Sequence, residues 1–197
     1  MELGHLRDDI AMSQKKGLPF IITSVIIWGL ITIISALNLP INTRNMLVFC
    51  SACPLMPISW LIGKAMKVDI FSNENPLSQL GLLFTLNQML YILIAMWVYR
   101  AVPDKMVMVY AMIFGAHLLP YSWLYSSISY KIFSITIPFI ALFTGINFNA
   151  LVVSIVMTFT EIIFVVALFE EYKRDREIIR EASDRRIKAF KRKIKDY

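Results

Sequence analysis

Six stretches of this chain are long and apolar enough to cross a lipid bilayer, and no other feature constrains the fold as tightly. A hydrocarbon core of about 30 Å takes roughly 17–25 apolar residues in a helix. Lipid offers the backbone no hydrogen-bond partner, so a helix is the spanning form such runs can take. The stretches are about Leu18–Leu37, Met46–Ile62, Leu77–Val98, Met106–Tyr125, Ile132–Ile146 and Ala150–Phe169. They predict an all-α fold, a polytopic transmembrane bundle of about six spans within residues 18–169. A cytoplasmic segment, 1–17, precedes it, and a basic amphipathic cytoplasmic helix, 170–197, follows. The first run is too long for the apolar region of a cleaved signal and lacks a small-residue cleavage site, so it is expected to stay as a span. With 17% charged residues, the chain falls below the quarter or so typical of soluble domains.

Proline shapes the expected spans. Pro54 and Pro57 sit inside the second and predict a kink or a broken first half, because each removes a backbone donor. Asn75-Pro76 opens the third span, Pro120 interrupts the end of the fourth, and Pro138 lies inside the fifth, the weakest. The short turn Gly145–Asn149 makes spans five and six antiparallel neighbours.

Charge sets the orientation, since cytoplasmic loops collect Lys and Arg. With six spans and the N-terminus inside, the inner segments hold Arg7, Lys15, Lys16, Lys64, Lys67, Lys131 and the eleven cations of the tail. The outer loops hold Arg44, Arg100 and Lys105. Dropping the weak fifth span would export the whole tail. Both termini are therefore expected in the cytoplasm of a multi-pass plasma-membrane protein, in a bacterial membrane. Lys64, Lys67 and Arg100 read as snorkelling side chains. Trp60, Trp97 and Trp123 read as interface anchors, and Trp28, near the centre of its span, as a packing residue.

Polar residues inside the spans are the functional signal. Glu161 lies in the middle of span six, where an ionisable group costs on the order of 3 kcal/mol and marks a site by default. Ser154, Thr158 and Glu161 follow an i, i+4, i+7 spacing and form one stripe that must face protein or water. His117 and Glu161 each lie eleven residues into outside-to-inside spans, roughly 17 Å below the outer surface. Asn87 and Gln88, with Tyr91 one turn beyond, reach a similar level from the other direction. The expectation is a midplane cluster of Asn87, Gln88, His117 and Glu161. It serves either as a binding or proton-relay site for a small polar or cationic solute, or as a structural hydrogen-bonded knot joining spans three, four and six.

Cys50 and Cys53 form a Cys-x-x-Cys near the expected outer end of span two. Disulfide-forming membrane enzymes place such a pair at a helix end, where a thiol is activated. They relay through a second pair, which this chain of two cysteines lacks, and two small residues at a helix contact explain the motif as well. No P-loop, zinc-hydrolase helix or dinucleotide loop occurs, so neither cofactor nor metal is expected.

The tail has no Pro or Gly and could continue span six as one helix. Its end carries Arg185, Arg186, Lys188, Lys191, Arg192, Lys193 and Lys195, suited to anionic headgroups of the inner leaflet. Ile187, Phe190, Ile194 and Tyr197 also suit pairing with a second copy, as in a homodimer, and a solvated helix is the third reading. The basic charge points to lipid and not to nucleic acid, given the hydrophobicity of the chain.

The segments Asn75-Pro76-Leu77, Leu80-Gly81-Leu82-Leu83, Asn87-Gln88-Met89-Leu90-Tyr91 and Gly115-Ala116-His117-Leu118-Leu119-Pro120-Tyr121 resemble a family of small uncharacterised polytopic membrane proteins found mainly in Gram-positive bacteria. The resemblance covers about residues 16–170 and excludes the tail. It implies an all-helical membrane fold and no known activity. The functional expectation is a permease-like protein working through the polar cluster, with proton coupling through Glu161 as one form of it. The alternatives are a non-transport accessory protein acting through its tail and, third, an intramembrane redox enzyme.

Overall fold

A computed structural model describes residues 3–72 and 74–195, without the side chains of Leu82, Met89, Ile92, Ser183, Asp184 and 186–195. Among these residues the secondary structure is helical, with no strand. The helices are α1 (Leu3–Ser13), α2 (Leu18–Ala36), α3 (Ile41–Cys50), α4 (Leu55–Ala65), α5 (Ser78–Ala101), α6 (Met106–His117), α7 (Leu119–Leu124), α8 (Ile128–Asn147) and α9 (Ala150–Lys195). Six spans are long and apolar enough to cross a membrane: Lys15–Ala36, Ile41–Ala65, Ser78–Ala101, Pro103–Leu124, Ile128–Asn147 and Ala150–Ala182. Their number and order match the expectation.

The proline positions explain the interruptions. Pro54 cannot donate to Cys50 and Pro57 cannot donate to Cys53; the second span breaks between α3 and α4 up to Pro54, and Pro57 falls in the first turn of α4, where a helix N–H has no intrahelical partner. Pro120 has no N–H for the Ala116 carbonyl, and the fourth span divides at Leu118 into α6 and α7. Pro138 stays inside α8. That helix begins at Ile128, a turn before its apolar pattern does. A tertiary cap is the cause: the Ile128 and Ser129 amides donate to Glu171 at 3.2 and 2.8 Å, and Tyr130 N donates to Ser127 Oγ.

Connections alternate between two ends of the bundle. At one end Arg7 Nε donates to the Trp123 carbonyl, Asn75 Nδ2 to the Leu6 carbonyl, and Lys15 Nζ to the Met66 carbonyl. Lys16 at the start of α2 meets Glu171 of α9 there too. This is the tail end. At the far end Asn45 Nδ2 donates to the Pro103 carbonyl and Lys105 Nζ to the Gly145 carbonyl. Helix α1 and the start of the tail at Glu171 therefore lie at the same end.

Helix α2 is central and packs along α9 on one side and α4 on another. In the most apolar stretch of its span 56% of residues are buried, against 13% for α5, the peripheral span. Trp28 is 1% exposed and packs its ring against Tyr110 and Phe114, a core residue as expected. Helices α6 and α8 approach closely at Gly115, where a Cβ would lie 2.5 Å from Pro138 Cδ and 2.6 Å from Ile137 Cγ2.

Gly115→Ala is expected to overpack this contact at a cost of about 1–3 kcal/mol, lowering the unfolding temperature in detergent. Gly29→Ala, with nothing within 4 Å of the new carbon, should leave it unchanged; equal behaviour of the two would contradict the contact.

Candidate functional site

The polar stripe of α9 faces the most buried helix of the bundle. Ser154 and Glu161 are both 0% exposed. Thr158 Oγ1 lies 3.1 Å from Thr32 Oγ1 of α2, and Glu161 Oε2 lies 2.6 Å from Ser24 Oγ of α2. The pairing is antiparallel, with the later α2 residue meeting the earlier α9 residue. Ser154 instead bonds its own helix at the Leu151 carbonyl, and Thr158 also donates to the Ser154 carbonyl. Behind α2, Ser59 Oγ of α4 donates to Thr23 Oγ1 at 3.0 Å, and both residues are fully buried. Short hydroxyls thus tie α2 to both neighbours.

Hydrogen-bond bookkeeping at Glu161 defines what the pair can do. Ser24 Oγ lies 2.6 Å from Glu161 Oε2 and 2.7 Å from the Ile21 carbonyl oxygen. A hydroxyl has one proton. If it serves the carbonyl, the Glu161 carboxyl carries its own proton and donates it to Ser24. If it serves the carboxylate, the Ile21 carbonyl loses that bond and a buried negative charge has no cation beside it among the described residues. Glu161 Oε1 has no hydrogen-bond partner among the described residues. The pair can therefore hold or release one proton by turning one hydroxyl.

Ser24 also lines a cleft of about 60 Å³ with Trp28, Ala52, Gln88, Tyr110 and Phe114, among others. Sites for drug-sized ligands run to about 300–1,000 Å³. The cleft has room for a few waters or a small ion.

The expected four-residue cluster does not assemble as one group. Gln88 reaches the cleft that Ser24 lines, but Asn87 lies on the exposed face of α5, where its Nδ2 donates to Tyr91 Oη at 3.0 Å. Adjacent helical residues point about 100° apart, so the two amides cannot share one target. His117 hydrogen-bonds through Nδ1 to the Phe114 carbonyl of its own helix and sits between the rings of Phe114 and Tyr121, at 5.2 and 6.1 Å. Equal depth places residues at one level but not on one side of their helices.

Cys50 and Cys53 are free and exposed on the protein surface. Cys50 ends α3 and Cys53 lies in the break before α4, nine and twelve residues past the start of the span at Ile41, and not at the outer end expected for it. The earlier helix start moves them toward the middle of the span. Of the tail cations, Arg185 is exposed and its Nε reaches the Glu181 carbonyl, while Arg186, Lys188, Lys191, Arg192, Lys193 and Lys195 have side chains outside the described set, as does Tyr197. The backbone runs as one helix through Lys195.

Sequence reasoning missed a second polar centre at the tail end. Lys16, 1% exposed, pairs with Glu171 Oε1 at 2.7 Å and Asp175 Oδ2 at 2.6 Å. Glu171 also accepts from Ser127 Oγ, besides the two α8 amides. The backbone around Lys16 is unusual: Lys15, Lys16 and Gly17 have φ of 46°, 52° and 71°. Left-handed lysines are disfavoured and persist only where surroundings over-determine them. The ion pairs, Tyr130 Oη donating to the Lys16 carbonyl, and Tyr125 Oη donating to Gln14 Oε1 supply that hold. A Cβ at Gly17 would lie 2.9 Å from Tyr130 Oη, so only glycine fits. In the sequence Lys16 is one more inner cation and Glu171 one more tail acid. The available signal was spacing: eight residues separate Lys16 from Ser24 and ten separate Glu161 from Glu171, about 12–15 Å in each helix.

Fold and site together define a multi-pass helical membrane protein with a buried carboxyl, Glu161, that has no cation beside it among the described residues. The chain belongs to a family of unknown function, DUF7010, whose model matches residues 3–171. No curated protein and no solved structure matches it. The matched region ends at Glu171, so the tail beyond that residue lies outside it.

Lys16→Met is expected to strand Glu171 in the interior. Breaking a buried pair in this way costs about 3–5 kcal/mol, visible as a lowered unfolding temperature in detergent. Adding Glu171→Gln to Lys16→Met should restore part of the loss; additive losses would show that the two side chains do not interact.

Proposed function

We propose that this protein binds, and carries across the membrane, a small cation or polar solute of a few atoms, with Glu161 exchanging a proton as it does so. The observation that supports this most directly is a fully buried carboxyl with one oxygen unpartnered among the described residues and the other held by Ser24, which itself lines the cleft. Such a group in a spanning helix is costly to insert and by default functional. The roughly 60 Å³ of the cleft favours a hydrated ion or a proton with water over a metabolite. Ser24 is assigned as the contact that passes the proton between Glu161 and the cleft, and Gln88 as a polar ligand on the facing wall. His117 has no part in this reading, because its ring is engaged by its own helix and two aromatic rings. Excess Lys and Arg at the tail end orient that end to the cytoplasm of a plasma membrane.

A second reading, an accessory role through the tail, is favoured by one observation. Helix α9 runs without interruption from the last span through Lys195, and residues 183–195 extend about 20 Å beyond Ala182. The basic composition of that segment suits anionic headgroups or an acidic partner.

Reconstitution in proteoliposomes with a pH-sensitive dye tests the first reading. Wild type should acidify or alkalinise the lumen in response to a cation gradient, and Glu161→Gln should abolish this with helicity and unfolding temperature retained. Ser24→Ala should slow it by about a hundredfold, the low end of a positioned acid–base contact. Unchanged flux in Glu161→Gln, with lowered stability, would assign the carboxyl a structural role. Loss of function on deleting 172–197, with Glu161 dispensable, would favour the accessory reading.

A further inference from the structure

The outer face of α5 carries a polar residue where lipid should be, and its spacing names what covers it. Asn87 is exposed near the middle of the peripheral span, with a single hydrogen bond from Nδ2 to Tyr91 Oη. One N–H and the carbonyl oxygen of the amide remain for another partner. Hydrocarbon provides none, and polar groups in spanning helices turn toward protein for that reason. On the same face Leu83, Leu90, Ile94 and Trp97 are 58%, 64%, 48% and 65% exposed. Together with Asn87 they follow steps of four, three, four and three residues. That is the seam spacing of paired helices, with one amide at its centre. The opposite face, at Phe84, Gln88, Ala95 and Val98, is the one turned into the bundle.

We propose that this α5 face is a two-fold interface with a second copy of the same chain, registered by a reciprocal Asn87–Asn87 hydrogen bond. Symmetry selects the occupant. Copies inserted with one orientation present α5 in parallel, so each residue of the seam meets its own counterpart at the same depth. An amide is both donor and acceptor and therefore complements itself, whereas an acid or a lysine at this position would repel its twin. Other seam residues are apolar, as the flanks of such a contact require. A single buried Asn in a parallel helix pair sets register and the number of strands. The interface lies away from the Glu161–Ser24 pair, on a helix that has no substantial contact with α9, so it does not depend on the proposed transport reading.

The test uses the full chain in membranes. With Cys50→Ala and Cys53→Ala as background, Leu90→Cys and Ile94→Cys should form disulfide-linked dimers on mild oxidation. Phe139→Cys on α8, 69% exposed, should not. The unmodified protein in nanodiscs should have the mass of two chains. Asn87→Leu should weaken association by about tenfold, within the range of interhelical polar contacts in membranes, and Asn87→Gln should retain most of it. Cross-linking at Phe139→Cys equal to that at Leu90→Cys overturns the assignment. So does a monomeric mass for the unmodified protein, or an association constant unchanged in Asn87→Leu. Each of these results would leave the α5 face to lipid or to a different protein.

Discussion

Hydrocarbon offers no hydrogen-bond partner, and the arrangement of this bundle follows from where its polar side chains find one. The α2–α9 seam is the clearest case. Glu161, Thr158, Ser24 and Thr32 would each be costly against lipid, and two contacts, at 2.6 and 3.1 Å, give each of the four a partner while leaving Glu161 Oε1 without one among the described residues. Ser59 and Thr23 do the same between α4 and α2. Helix α2 is central because it carries hydroxyls on two sides, and each side requires a neighbour. Association driven by packing and short polar contacts is the expected mode where the surrounding solvent is as apolar as leucine.

The tail end works by a different rule. There the ion pairs of Lys16 with Glu171 and Asp175 replace water at the base of the bundle, and the same Glu171 caps the exposed amides of α8. One carboxylate thus joins the entry of the first span, the entry of the fifth and the exit of the sixth. The left-handed turn at Lys15–Gly17 is the local cost of presenting the Lys16 ammonium inward.

Backbone breaks serve the packing. The split between α3 and α4 and the one between α6 and α7 each coincide with prolines whose missing N–H would have left a carbonyl unpaired inside a longer helix. In α8 the proline is kept within the helix, and Gly115 of α6 leaves room for its ring. The close α6–α8 approach positions Phe114 and Tyr110 against Trp28, which forms one wall of the cleft beside Ser24.

Six spans, their order, the proline interruptions and the α9 polar stripe were legible in the sequence because each is a local property: run length, a missing donor, a helical period. Glu161 stood out for the same reason, being a lone acid in an apolar run. Partners were not legible. Depth along a helix can be counted from residue number, but the side toward which a residue points depends on how helices rotate and pack against one another. So His117, Asn87 and Glu161, expected at one level, do not meet, while Ser24, an unremarked serine of the first span, is the side chain that Glu161 reaches. The early start of α8 and the inward turn of Lys16 likewise required Glu171, which lies more than 40 residues away from Ser129 in the chain. Local chemistry determined which segments enter the membrane and which polar groups must be satisfied there; tertiary packing alone decided which group satisfies which, because that choice rests on helix rotation, which no local pattern encodes.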